Sequence, residues 1–145
     1  MQTFLPTSNF RTSAKVLDYK RLGKQRVEGK QILNALSPDY DKKGWVNHPA
    51  TIMWRGFENA LKYYTNCMIE EWIARGYNNT MELYKIDGPI VYPKWLGNNE
   101  FHKSHRMNFL RKDYDYYSEH FDEVLEQYTD YEIESYPYYW PDGEK

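Results

Sequence analysis

Cysteine is almost missing from this chain of 145 residues. The single Cys67 has no internal partner, so no disulfide framework can carry the fold, and a reducing, intracellular (cytoplasmic) setting is the simplest reading. Long apolar runs are also lacking, and none approaches the ~20 residues that a helical membrane span requires. The opening MQTFLPTSNF has neither the basic start nor the apolar stretch of a secretory signal. No internal repeat, low-complexity linker or composition break divides the chain. A soluble, monomeric, single domain over residues 1–145 is expected, with no membrane association. Its length allows roughly two thirds of the unfolded surface to be buried, so neither metal nor disulfide is needed for folding.

Charge is present but separated. The net value is −2, yet residues 1–112 carry 18 Lys+Arg against 10 Asp+Glu, and residues 113–145 carry 1 against 11, so the total is +8 and −10 added together. The excess is sharpest in KVLDYKRLGKQRVEGK, Lys15 to Lys30, with six basic residues and two acids on one predicted helix. A basic body beside an acidic tail points to a polyanion partner, with the tail repelling or imitating phosphate. The competing reading is that tail and body pair with each other. Aromatic residues make up 18% of the chain, including 15 tyrosines. Tyrosine suits a core and also offers a flat face to bases, so composition alone does not choose between them.

Helix signals dominate, and the fold class expected is all-α: about three main helices and an irregular aromatic C-terminal segment. Ser13 reads as an N-cap, and Tyr19, Leu22, Arg26, Gly29, Leu33 and Leu36 recur at three- and four-residue intervals until Ser37-Pro38 stops the helix. The stretch PDYDKKGW reads as a loop. Asn47-His48-Pro49 then starts a second helix. Its apolar stripe, Ala50, Met53, Trp54, Phe57, Leu61, Tyr64, Met68 and Trp72, runs to a stop at Gly76, about seven turns if unbroken. The following segment is loop-like, with room for a short helix near Thr80 to Tyr84. A third helix begins at Asn99 or Glu100 and breaks near Asp113. The end, SYPYYWPDGEK, has two prolines and no periodicity.

Lys20, Arg21 and Lys24 cluster with Arg26 and are the best phosphate candidates. His102 and His105 share a helix face and, with His48, have the residue types of a metal site. The i, i+3 spacing without a matched carboxylate or cysteine pair makes structural or phosphate-contacting histidines the better reading, and no metal or cofactor is expected. Arg106, Arg111 and Lys112 continue that basic face. Trp54, Phe57 and Trp72 lie on the core stripe. Trp45, Trp95, Tyr138, Tyr139 and Trp140 lie in loops and are the stacking candidates, with the YPYYW segment first among them.

Three features together resemble one family. Pro49 to Tyr77 is similar to the long central helix of the pyrimidine-dimer DNA glycosylases, the endonuclease V type repair enzymes of phages and some bacteria, down to an arginine-glycine-aromatic turn at Arg75-Gly76-Tyr77. The helix bearing Arg26-Val27 resembles the family's catalytic helix, and Tyr136 to Trp140 resembles its DNA-contacting aromatic tail. The resemblance implies a duplex-DNA partner, extrusion of a nucleotide from the stack, and base excision of damaged or modified pyrimidines with AP-lyase strand cleavage. It also implies that the protein's own α-amino group attacks the sugar carbon to form a Schiff base, while a glutamate orients the amine, assists ring opening and moves protons.

Two positions depart from the family pattern. Gly23 stands three residues before Arg26, where the family has its glutamate, so Glu28 and Asp18 are the carboxylate candidates. Glu28 is preferred because it lies among the cations of KQRVEGK; the competing reading is an ordinary Lys24–Glu28 helix pair. Gln2 is bulky enough to retain the initiator residue, which assigns the amine to Met1 or else leaves a carboxylate-activated water. The expected site is therefore Met1, Glu28 and Arg26 for chemistry, and Lys20, Arg21, Lys24, His48, His105, Arg106, Tyr138, Tyr139 and Trp140 for DNA. The alternative function is a non-catalytic DNA-binding or protein-binding module that retains the fold.

Overall fold

The computed structural model describes residues 2–39 and 45–141. Within them the chain forms eight helices and no strand, an all-α architecture. Most of the loop expected over PDYDKKGW, and the last four residues, lie outside the described residues.

The first predicted helix is two helices. α1 (Phe10–Val16) is capped by the Asn9 side chain, which accepts from the Thr12 N–H at 2.9 Å, and α2 (Tyr19–Leu36) is capped by Asp18. Ser13 does not cap; it is buried in α1 and its hydroxyl donates to the Thr7 carbonyl. Leu17 and Asp18 are extended between the helices, because an aspartate that caps the next helix must leave helical geometry itself. α2 ends where expected, with Ser37 forced into extended backbone by Pro38.

The long central helix is likewise broken. α3 (Pro49–Ile52) starts at the His48 cap with proline in its first turn, and α4 (Glu58–Ala74) follows a turn containing Gly56 at φ +89°. Only glycine adopts that left-handed backbone without strain, so the apolar stripe continues in register across a break that periodicity alone conceals. No helix forms at Thr80 to Tyr84. The side chain of Asn66 on α4 bonds both backbone groups of Tyr84, accepting from its N–H at 2.7 Å and donating to its carbonyl at 2.9 Å, which holds the segment extended.

α5 (Asn99–Lys112) begins at the Asn98 cap and ends at Asp113, as the sequence predicts. Three short helices follow: α6 (Tyr114–Tyr117), α7 (Asp122–Gln127) and α8 (Asp130–Ser135), the last opened by a Thr129–Glu132 capping box. Residues 136–141 are irregular.

α2 packs on α4, and the approach is so close that a Cβ built on Gly29 would lie 2.3 Å from the Thr65 hydroxyl oxygen. α1 covers another part of α4, while α5 supports α6 and α8. Aromatic rings fill the interior: Trp54 meets Trp95 edge-on at 5.0 Å, and Phe109, Tyr117 and Phe121 form a stack. Among the described tyrosines only Tyr64 and Tyr117 are fully buried, and Tyr19, Tyr77, Tyr92, Tyr114, Tyr131 and Tyr139 are exposed. The acidic residues of α7 and α8 face solvent. Among the described residues no ion pair joins a carboxylate beyond residue 112 to the basic body.

Candidate active site

The N-terminal segment threads through the core, and side chains take the place of a neighbouring strand. Thr3, Phe4 and Leu5 are buried. Gln25 on α2 donates to the Gln2 carbonyl at 3.0 Å and accepts from the Phe4 N–H at 2.9 Å. Tyr64 on α4 donates to the Phe4 carbonyl, and Trp54 donates to the Thr3 hydroxyl. On α5, His105 Nδ1 accepts from the Leu5 N–H, His102 Nδ1 bonds the Leu5 carbonyl, and Arg106 donates to the Pro6 carbonyl. Buried backbone groups must be paired, and here three helices contribute polar side chains to pair a short segment that no strand accompanies.

This segment delivers Gln2 to Glu28. The Glu28 carboxylate accepts at 2.6 Å from Gln25 Nε2, the same nitrogen that donates to the Gln2 carbonyl. Burial pushes its pKa above the ordinary carboxylate range, against the opposing pull of the Gln2 N–H, Lys24 and Gln25. Asp18, the other candidate, is occupied elsewhere: it caps α2, pairs with Arg21 at 2.9 Å and accepts from the Tyr117 hydroxyl. Burial would raise its pKa, but the Tyr117 and Arg21 hydrogen bonds together hold it below normal. An acidic group so held is a structural cap.

The C-terminal segment packs on His105, the same α5 residue that holds the N-terminal segment. Tyr138 stacks on His105 at 5.1 Å, and its hydroxyl lies 3.1 Å from His105 Nε2. Because His105 Nδ1 accepts from an N–H, the neutral ring carries its proton on Nε2 and donates it to the Tyr138 oxygen. Burial, with help from His102 and Arg106, pushes the His105 pKa down to about 3, so the ring stays neutral. The Tyr138 proton remains free to be donated. Burial and then the negative charge of Glu28 raise the Tyr138 pKa. His48 Nδ1 accepts from the Ala50 N–H, and its ring meets Trp45 on one side and Trp140 on the other at 5.7 and 6.1 Å. Tyr138 and Trp140 contact each other at 5.3 Å, so the aromatic rim is continuous.

A cleft of about 1000 Å³ opens from Gln2 and Glu28 along α2. Lys20, Arg21 and Lys24 line it, with Lys112 contributed by the end of α5. Lys20 and Lys24 are exposed, whereas Arg21 is half-buried, pairs with Asp18 and lies over the Phe109 and Tyr117 rings.

The remaining predicted site residues are distributed differently. Met1 lies outside the described residues. Arg26 is not brought to Glu28: two residues along a helix turn the side chains about 200° apart. It lies over Trp72 at 4.2 Å and donates to Asn79 Oδ1 at 2.8 Å, which fastens the 77–81 segment to α2. His105 is buried and half-buried Arg106 is tied to the Pro6 carbonyl, so both act on the N-terminal segment rather than on a solvent-facing surface. Tyr139 is exposed at the edge of the Phe101 ring, and Trp140 is half-buried beside His48. Trp95 is a core residue whose indole donates to the Met53 carbonyl. The histidines offer no common metal site. Both ring nitrogens of His102 are taken, by the Leu5 carbonyl and the Gly97 N–H, and the described residues contain no group of three or more His, Cys, Asp or Glu arranged to hold a metal ion.

Gln25 is the residue that sequence reasoning passed over. It is fully buried in line with Leu22, Gly29 and Ile32, and a glutamine on the apolar stripe of an otherwise basic helix was the available signal.

Comparison with known families gives one match: residues 1–85 fit the family described as pyrimidine dimer DNA glycosylase. No curated protein and no solved structure matches the chain. The matched region holds the N-terminal segment, α1 to α4, Gln25, Glu28 and the three cleft-lining cations of α2.

Proposed function

The chain belongs to the pyrimidine dimer DNA glycosylase family, and on that premise we propose that it excises damaged or modified pyrimidines from duplex DNA and cleaves the strand through a Schiff base on its own N-terminal amine. The observation that carries this reading is the delivery of Gln2 to Glu28 by a segment locked in the core. The α-amine belongs to the residue bonded to the Gln2 nitrogen, one residue from the contact with the carboxylate. An α-amine has a pKa near 8, so about a tenth is neutral at pH 7; an unperturbed lysine near 10.4 offers fewer than about one in a thousand.

The chemistry uses the site as follows. The neutral amine forms a bond to C1′ as the C1′–N glycosidic bond breaks, and the electron pair leaves with the base, which takes up a proton. The bound nitrogen loses a proton, the C1′–O4′ bond opens, and O4′ is protonated to give the Schiff base. Removal of a C2′ proton then converts that C–H pair into a double bond and expels the 3′ phosphate. Glu28, buried enough to bind a proton more readily than a free carboxylate, exchanges protons at O4′ and C2′. Lys20, Lys24 and Lys112 hold the backbone phosphates along the cleft. The aromatic rim of Trp45, His48 and Trp140 receives the unstacked nucleotides.

The test is borohydride trapping on ultraviolet-irradiated and abasic-site duplexes. The unaltered protein is expected to give a covalent adduct and strand cleavage, and N-terminal acetylation to abolish both without unfolding the protein. Full cleavage by the acetylated protein overturns the amine as nucleophile. Failure to release base from any damaged duplex favours a non-catalytic DNA-binding module.

A further inference from the structure

Gln25 has an orientation that its partners dictate. Its Oε1 accepts from the Phe4 backbone N–H at 2.9 Å, and a backbone N–H can only donate, so the oxygen cannot exchange places with the nitrogen. The same oxygen lies 2.6 Å from the Tyr64 hydroxyl. The nitrogen is thereby aimed the other way, and it donates to the Gln2 carbonyl at 3.0 Å and to Glu28 Oε2 at 2.6 Å. Both donor hydrogens of the amide are therefore used, and its oxygen accepts from the Phe4 N–H beside a Tyr64 hydroxyl whose single proton is shared with the Phe4 carbonyl. The residue is fully buried, so each bond acts in surroundings where an unpaired group is costly and a paired one is held firmly.

We infer that Gln25 is a positioning residue for the reaction: one amide holds the tether of the N-terminal amine and the Glu28 carboxylate as a single unit, so that nucleophile and proton carrier keep their register when DNA binds. The inference rests on the amine-and-carboxylate reading above. The tether is gripped on both faces, at the Gln2 carbonyl and the Phe4 N–H, while the carboxylate is gripped by the same nitrogen that holds Gln2. No helix hydrogen bond requires this side chain, and an apolar residue on the α2 stripe would pack there without bonding either group.

Gln25→Glu keeps the shape and replaces two donors by a carboxylate beside Glu28. On an abasic-site duplex, turnover per folded molecule is expected to fall by about 100-fold, the cost of a misplacement on the order of 1 Å, with KM changed less than about threefold. The rising limb of the pH–rate profile should also move to higher pH, because two adjacent carboxyls hold one proton between them. Gln25→Leu should lose turnover similarly, without the coupled titration. A merely structural glutamine would lower the folded fraction and leave both the rate per folded molecule and the limb where they were; that result overturns the inference while leaving the amine mechanism standing. Absence of any trapped adduct with the unaltered protein overturns both. Should the variants fail to fold, the unaltered protein still decides: the Gln25 side-chain amide protons are expected to be protected from solvent exchange and to shift in the NMR spectrum as Glu28 titrates. Free exchange, or no response to that titration, overturns the role.

Discussion

Replacing Gly29 by alanine sets helix propensity against packing, and the structure indicates which prevails. In a free helix the change is favourable by about 0.8–1.0 kcal/mol. Here the new methyl would lie 2.3 Å from Thr65 Oγ1 and 3.0 Å from Thr65 Cγ2, the first on the order of 1 Å inside ordinary contact. Rotating Thr65 does not help, because both branches already face the site and its hydroxyl is bonded to the Leu61 carbonyl at 2.8 Å. Relief must come from separating α2 and α4, and overpacking of this kind costs about 1–3 kcal/mol. The net expectation is a loss of about 1 kcal/mol, or a fall of roughly 2–4 °C in Tm for a chain of this size. Thr65→Ala removes both close atoms, so the double variant should recover most of the loss, with a favourable coupling of about 1–2 kcal/mol in a double-mutant cycle read by urea unfolding. The consequence reaches the site, since α2 also carries Gln25 and Glu28: trapping by Gly29→Ala should slow by about tenfold or more even in folded molecules. A Gly29→Ala protein that is more stable than its parent and traps at the parental rate would refute the argument.

Other outcomes follow from individual groups. Glu28→Gln should lower turnover by about 10²–10⁴-fold, yet leave stability at neutral pH unchanged or slightly higher: a carboxyl whose folded pKa is raised contributes stability below its unfolded value near 4.5 that is lost as pH rises through the folded value. The difference in unfolding free energy between variant and parent should therefore vary with pH in that window, and a flat difference would count against it. His105 acts in the opposite sense, because its pKa is about 3 against 6.5 when free. Its stability contribution is full above 6.5 and falls by ~1.4 kcal/mol per pH unit as pH drops towards 3, a slope that His105→Gln should remove. Tyr138→Phe leaves the His105 Nε2–H without its partner and should cost about 1–3 kcal/mol, measured by urea unfolding at neutral pH. DNA affinity should fall steeply with salt, and Lys20→Ala and Lys24→Ala should each flatten the log–log slope by about 0.9; an unchanged slope removes that lysine from the phosphate path.

Sequence periodicity located the helical mass but not its interruptions. The stripe from Ala50 to Trp72 is genuine, yet Gly56 breaks the backbone without shifting the register, so a pattern of side chains carries no trace of the turn. Asp18 was visible as a residue and invisible as a cap, because Ser13 offered a plausible cap earlier and Leu17 kept the apolar spacing. The extended course near Tyr84 depends on Asn66, 18 positions away, and no local window contains that information. The ends that did follow local rules, Ser37-Pro38 and Asn98 to Asp113, are those where a proline or a cap acts within its own turn.

The site divides along the same line. The density of charge on α2 was a local property, and Lys20, Arg21 and Lys24 do line one cleft. Arg26 belongs to the same run of residues, but a helix turns neighbours away from one another, and Arg26 is held by Trp72 and Asn79 rather than by Glu28. What organises the cleft's inner end is not charge at all. It is a set of neutral polar groups, Gln25, Tyr64, His102 and His105, holding an unpaired N-terminal segment whose backbone demands partners. Each of these is unremarkable in sequence, and three lie on stripes where an apolar residue would serve packing better. Polar side chains in such positions, beside one carboxylate held above its ordinary pKa, accept a cost in core packing and fix the course of that segment.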